Sequence, residues 1–282
     1  MKKKVLILGA AGMAGHMIYT FLRSREGKYE IGATTRTPVD YLDSIAIDVE
    51  ENLPLLAEII SEADVDVIIN CIGLLVKPCQ DCPSEAIFIN SFFPQMLAHI
   101  TEGTKTKVIH LSTDCIFDGS IEDDKGYSEG YPPTETNWYG RSKALGEINN
   151  DKDLTLRMSI FGPEKKDGTG LFHWFSKQKG HVGGYTQHYW NGISTLELAK
   201  QIDKILDTDL TGIYHLVPDE YVTKYELLNL FKKVFEYDIE VDKFETETVN
   251  KVLHNNRVKE YNPKIPSYET QLNDLKGFIT AL

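Results

Sequence analysis

Val5-Leu6-Ile7-Leu8-Gly9-Ala10-Ala11-Gly12-Met13-Ala14-Gly15 is the stretch that decides how this chain folds. An apolar run stops at Gly9, glycine recurs at every third position, and His16 to Leu22 then carries the spacing of an amphipathic helix. Strand, glycine turn and helix in that order form the context of a dinucleotide-binding loop. Glycines permit the tight turn and let the backbone approach a pyrophosphate, which lies against the partial positive charge of the helix N-terminus. The spacing is G-x-x-G-x-x-G, not the better-known G-x-G-x-x-G. Lys2 to Lys4 ahead of an apolar run imitate a secretory signal, but the run is short and broken by glycine, so no cleaved leader is expected.

Outward from this loop, strand and helix patterns alternate. Tyr29 to Thr35 reads as a second strand, Ala46-Ile47-Asp48 as a short third, and Leu53 to Ala63 as a helix. Val65 to Cys71 and Val108 to Leu111 are near-continuous apolar runs of the buried parallel type. Between them, Ser84 to Ile100 is helical with an interruption or kink at Pro94. A helix carrying Tyr139 and continuing from Ser142 to Asn149 precedes a strand at Leu154 to Arg157. Such alternation implies right-handed crossovers and an α/β fold with a Rossmann-type, doubly wound parallel sheet. After Gly162 the pattern changes: Leu171 to Lys179 carries four aromatic or imidazole side chains, and Trp174 among them is expected to pack inward. Ile193 to Leu206 reads as a helix with Ser194 as its cap, Ile213 to Val217 as a strand and Lys224 to Phe235 as a helix. Residues 1–162 are therefore assigned to a dinucleotide-binding domain. Residues 163–282 form a smaller, partly interleaved C-terminal α/β region for substrate, of which about 191–217 return to the first domain.

A length of 282 residues suits that division, and a net charge of −12 argues against nucleic acid or an anionic membrane as partner. No apolar stretch approaches the roughly 20 residues a spanning helix needs. Cys71 and Cys115 read as packed thiols, and Cys79-Gln80-Asp81-Cys82 lacks the second pair a zinc site requires. These cysteines point to a reducing cytoplasm. The eight histidines show no metal-ligand spacing, so no catalytic metal is expected.

Tyr139-Gly140-Arg141-Ser142-Lys143 places a phenol and an ammonium one helical turn apart. A positive charge beside the tyrosine is expected to draw its pKa toward neutrality, fitting it to exchange a proton with a carbonyl or carbinol oxygen.

With Gly9, Gly12 and Gly15, Ser112-Thr113-Asp114 at a strand end and Tyr139-x-x-x-Lys143 in order, the chain resembles the extended short-chain dehydrogenase/reductases. Within them, Leu111-Ser112-Thr113-Asp114-Cys115-Ile116-Phe117-Asp118-Gly119 is similar to the signature of the dTDP-4-dehydrorhamnose reductases. Asn90-x-x-x-Pro94, Leu156-Arg157 with Phe161-Gly162, and Asn191-Gly192-Ile193-Ser194-Thr195 add to the likeness. The resemblance implies an NAD(P)H-dependent oxidoreductase that reduces a 4-keto-6-deoxy nucleotide sugar for polysaccharide or glycan precursors. It further implies that Thr113 bonds the keto oxygen, Tyr139 protonates it, and Lys143 holds the nicotinamide ribose, with Ser112 competing for the hydroxyl role. Cys115 stands where the family often has tyrosine, and Trp138 where a smaller residue is usual, which leaves the usual sugar open.

For the cofactor, Gly9, Ala11, Gly12, Met13 and Gly15 are the candidates at the pyrophosphate, with Asp48 and Val49 at the adenine. Cys71, Ile72, Gly73 and Asn90 are assigned to its packing, together with Tyr139 and Lys143. Arg36 after the second strand, with no acid before Asp40, favours NADPH over NADH because a guanidinium matches the 2′-phosphate. Candidates at the substrate are Ser112, Asp114, Cys115, Arg157, Trp190 and, for its diphosphate, Arg257. A nucleotide-sugar epimerase or dehydratase on the same fold and a non-catalytic NADP-binding regulatory subunit are the alternatives. A homodimer stays open.

Overall fold

The N-terminal apolar run is the spine of a seven-stranded parallel sheet. The computed structural model describes residues 2–122, 126–165 and 168–281. In chain order, β1 (Lys3–Leu8), α1 (Met13–Arg23), β2 (Tyr29–Thr35), β3 (Ile45–Ala46), α2 (Leu53–Glu62) and β4 (Val67–Asn70) come first. There follow α3 (Val76–Asp81), α4 (Pro83–Ala86), a π-helical turn (Ile87–Phe92), α5 (Phe93–Ile100), β5 (Lys107–Leu111), α6 (Trp138–Leu145) and β6 (Leu154–Arg157). The remainder holds β7 (Ile160–Phe161), α7 (Leu171–Ser176), β8 (Gly180–Tyr185), β9 (His188–Trp190), β10 (Ile193–Ser194), α8 (Thr195–Ile205) and β11 (Gly212–His215). Last come β12 (Val222–Thr223), α9 (Lys224–Phe235), β13 (Ile239–Phe244), β14 (Val249–Asn250) and α10 (Tyr268–Thr280).

Strand order in the large sheet is β11-β6-β5-β4-β1-β2-β3, with Val5 paired to both Ile31 and Val67. The order reverses between β1 and β4, which opens a crevice above the carboxyl ends of these strands. Side chains alternate along β1: Val5 and Ile7 face Met17, Ile18 and Ile202, whereas Leu6 and Leu8 face Leu56, Phe93 and Leu97. Both faces are covered, as an all-parallel sheet requires.

Part of the later sequence returns to this sheet. β11 pairs with β6 at the edge, and α8 lies beside α1 with Ser194 capping it by accepting the Glu197 N–H. Asp203 of α8 accepts hydrogen bonds from the Tyr29 hydroxyl at 2.6 Å and Lys28 Nζ at 2.8 Å, which pins α8 to the start of β2. The rest of the C-terminal part builds small sheets, β12-β9-β14, β13-β8 and β10-β7, against α9 and α10. Its core is aromatic: Phe161, Phe172 and Phe175 close on Phe231. Trp174 departs from expectation, since it is 40% exposed while Phe172 and Phe175 on the same short helix take the inward positions.

The interruption expected at Pro94 begins earlier, as the π turn at Ile87–Phe92. Pro94 has no N–H to offer the Asn90 carbonyl, and Gly146 comes so close to that carbonyl that a Cβ there would stand 1.9 Å from the oxygen. Gly146 also caps α6, so this helix ends at Leu145 and not at Asn149.

Gly9 adopts φ +76°, and a Cβ on Gly15 would lie 2.3 Å from the Gly9 carbonyl oxygen. The seam between β1 and α1 is thus closed against any side chain. Gly15→Ala is expected to lower the unfolding free energy by about 2 kcal/mol or more through backbone displacement, measured by urea denaturation.

Candidate active site

At the carboxyl ends of β1, β2 and β4 lies a cleft of about 230 Å³ lined by Gly9, Ala11, Gly12, Thr34, Thr35, Arg36, Ile47, Asp48, Val49, Cys71, Ile72 and Gly73 among others. Gly12 is the N-cap of α1 and no side chain caps its first amides, so these N–H groups are open to an anion. The glycine turn, the uncapped helix and the cleft together fit a dinucleotide. Met13 opens α1, and its side chain lies against Gly170 of the C-terminal part. Gly15 acts by close packing rather than by facing the cleft. Arg36 reaches the rim, where Nε donates to Asp48 Oδ2 at 2.8 Å and the guanidinium lies 3.6 Å from Glu50.

Thr113, Tyr139 and Lys143 meet next to this cleft. Thr113 ends the segment after β5; its Oγ1 donates to Asp114 Oδ1 and accepts the Cys115 N–H, both at 3.1 Å. Tyr139 and Lys143 occupy one face of α6, whose cap Asn137 accepts the Gly140 N–H at 2.9 Å. Gly140 allows the helix to press on the loop from Thr113 to Cys115, since a Cβ there would lie 2.5 Å from the Cys115 carbonyl oxygen. Thr113 is a polar neighbour of the Tyr139 hydroxyl and favours its charged form. Lys143 Nζ donates to the Leu111 carbonyl at 2.7 Å and comes close to Gly73.

Electrostatics correct one expectation. Burial pushes the Tyr139 phenol upward, Cys115 and Asp114 add to the rise, and only the bond with Thr113 opposes it. Lys143 does not bring the phenol toward neutrality, because withdrawal of the phenolate from water outweighs the neighbouring charge. Burial also lowers Lys143 to about 8, against the opposing pull of Glu147, Cys79 and Cys71. The pair is therefore a neutral phenol and, below that pH, an ammonium. Burial raises the Cys71 and Cys115 thiols to about 12, so neither is poised as a thiolate.

Four further candidates take other places. Asn90 is buried behind the cleft: its amide donates to Leu74 O, Ser142 Oγ and Cys79 Sγ and accepts the Leu74 N–H, so it braces the loop after β4 against α6. Arg157 is buried in a two-pronged pair with Glu147 (2.8 and 2.7 Å) and also donates to Glu129 O. Glu147 accepts the Ser112 hydroxyl at 2.7 Å as well. Arg257 donates to Thr211 O and Ile213 O at 2.7 Å and pairs with Glu260, next to the start of β11 and the opposite end of the sheet from the cleft. Trp190 is buried against Phe161 and Tyr268. In each case the sequence displays the polar or aromatic group but not the distant partner that occupies it. Cys79 and Cys82 are both free; Cys79 is buried against Leu74 O and Asn90, and Cys82 contacts Ser84. Among the described residues no group of three or more His, Cys, Asp or Glu is arranged to hold a metal ion, and no helix is long and apolar enough to cross a membrane.

One residue near the site was not legible in the sequence. Lys224, the first residue of α9, lies over Trp190 and has Asp114 and Cys115 as electrostatic neighbours. A lysine opening a helix carries no local sign of burial.

Residues 2–260 match the family model of the RmlD substrate binding domain. The chain belongs to the RmlD substrate binding domain family. Relatives of this RmlD-family chain include the probable low-salt glycan biosynthesis reductase Agl14 of Haloferax volcanii, 29% identical over 235 residues that span 77% of this chain and 75% of that protein. Methionine adenosyltransferase 2 subunit beta of Xenopus laevis is 27% identical over 248 residues, 80% of this chain and 70% of that protein. Among solved structures, the dTDP-4-dehydrorhamnose reductase of Bacillus anthracis str. Ames in complex with NADP superposes with a TM-score of 0.81 at 22% identity, covering 99% of this chain and 100% of that one. At that identity the likeness speaks for the RmlD-type fold.

Arg157→Met is expected to lower stability by about 3 kcal/mol, because Glu147 is left buried without its counter-charge; chemical denaturation measures it. A loss below 1 kcal/mol would contradict the assignment of Arg157 to the scaffold.

Proposed function

We propose that this chain is an NADPH-dependent reductase of a nucleotide-linked 4-keto-6-deoxy sugar, serving polysaccharide or glycan precursor synthesis. The convergence of Thr113 and Tyr139 beside a cleft fitted to a dinucleotide, with the Lys143 ammonium behind them, carries this reading. The names of the reductases among the relatives and structural neighbours support it. A bound nicotinamide cofactor supplies the hydride.

The chain's own groups manage the oxygen. As the carbonyl carbon becomes a carbinol, negative charge grows on the former keto oxygen, and preorganised donors stabilise it. Tyr139 Oη delivers the proton to that oxygen; burial keeps the phenol in the protonated state a donor needs, and the alkoxide-like oxygen that forms is the stronger base that takes the proton. Thr113 Oγ1 orients the same oxygen by turning its one hydrogen from Asp114 Oδ1 to it. Lys143 Nζ, anchored by one bond to Leu111 O, turns its remaining N–H groups to the cofactor ribose. Arg36, Thr34 and Thr35 at the rim favour the 2′-phosphate of NADPH, with the guanidinium exchanging its carboxylate partners for phosphate. Asp48 and Val49 take the adenine end. Residues 1–162 with 191–217 carry the cofactor, and the remainder of 163–282 closes over the sugar nucleotide.

The protein acts as a homodimer in the cytoplasm on this reading. Ile87, Phe92 and Leu145 are 45%, 50% and 67% exposed on neighbouring elements, a surface suited to self-association, and four free thiols suit a reducing compartment.

Two measurements test the reading. Purified protein should oxidise NADPH with one member of a panel of 4-keto nucleotide sugars. Tyr139→Phe should lower kcat by roughly 100-fold or more while leaving cofactor affinity nearly unchanged. Normal turnover by that variant would remove the proton donor from the scheme. The second measurement is a pH profile. Lys143 is charged below about 8 and neutral above it, so the rate should fall as pH rises through about 8, and Lys143→Met should lose both that limb and most activity.

A further inference from the structure

Lys224 and Trp190 come from opposite strand and helix ends in the C-terminal part, yet Lys224 Nζ lies 4.0 Å from the centroid of the Trp190 ring. The ammonium faces the catalytic loop, with Asp114 and Cys115 as its electrostatic neighbours and Lys251 as a repulsive one. The nearby anions are engaged elsewhere. Asp114 Oδ1 accepts from Thr113, and Glu226 is held in the capping box of Thr223. Lys251 donates to Phe117 O and lies 3.6 Å from Glu135. Among the described residues no carboxylate pairs with Lys224 at salt-bridge distance and no oxygen accepts its hydrogen bonds, so an aromatic face is its close partner and Asp114 attracts it only from farther off. That contact offsets only part of what removal from water costs a cation. Accordingly, burial lowers Lys224 to about 8 even though Asp114 pulls the other way.

We propose that Lys224, seated on Trp190, is a substrate-anchoring residue that receives a negatively charged oxygen of the sugar nucleotide, either from its diphosphate or from a carboxylate on the sugar ring. The proposal rests on the reductase reading for its substrate class. It also explains why a cation stands where the C-terminal part meets the reacting loop: the anion bridges the two, and the Trp190 ring fixes the height of the ammonium above the sugar.

The test uses full-length protein loaded with NADP+, as wild type, Lys224→Met and Lys224→Arg. Calorimetric titration with thymidine, dTDP, UDP, UDP-glucose and UDP-glucuronate reads the contact directly. The Met variant is expected to bind an anionic probe roughly 30-fold more weakly, the loss of a charge-assisted hydrogen bond. Thymidine, NADP+ affinity and melting temperature should hold, and Arg should restore most of the binding. A loss shared by dTDP, UDP and UDP-glucose assigns the diphosphate; a loss confined to UDP-glucuronate assigns a ring carboxylate. Equal behaviour of Met variant and wild type with every probe overturns the proposal, as does a joint fall in NADP+ affinity and melting temperature. Absence of NADPH oxidation by wild type across the 4-keto panel would sink the reductase reading alone, since the titrations still decide Lys224.

Discussion

The site depends on holding one ammonium inside the protein at the end of a β-strand. Lys143 is buried, and α6, the helix that carries it, is two turns long and only weakly amphipathic. Such a helix has little stability of its own, so neighbours fix it. Asn137 caps it, the Asn90 amide and the Ser91 hydroxyl bond to Ser142, and Gly140 and Gly146 allow backbone contact at both ends. The π turn that precedes Pro94 belongs to the same arrangement, because it delivers Asn90 to α6 and leaves its carbonyl beside Gly146.

Around that ammonium the charges are sorted by their access to water. Arg157 and Glu147 neutralise each other in the interior and steady Ser112 at the base of the loop after β5. Burial leaves Tyr139 protonated and Lys143 charged below about 8, two states that both donate. Phe117 stacked on Tyr127 at 4.1 Å secures the loop from the far side.

The fold was legible in the sequence wherever local pattern and tertiary role agree. The glycine turn, the buried runs at β4 and β5, and the cap at Ser194 depend on neighbours a few residues away. Roles set by remote partners were not legible. Arg157 and Arg257 look alike as lone basic residues, and only folding shows that Glu147 and Glu260 hold them. Asn90 follows a strand in the expected place, but its amide turns inward. Lys224 and Trp174 run against residue type: a half-buried lysine lies over an aromatic ring, and a tryptophan is left in water. The direction of the Tyr139 shift depends on burial, which no i, i+4 spacing reveals.

The return of β11 and α8 to the large sheet has a consequence for biosynthesis. Met17, Ile18 and Ile7 wait for Ile202, and β6 waits for an edge partner more than fifty residues further along the chain. While the ribosome is still making that stretch, one side of the sheet is bare and its margin unpaired, an invitation to aggregation or to a chaperone. Completion of the large sheet is therefore tied to translation of the C-terminal part, and neither is finished much before the other.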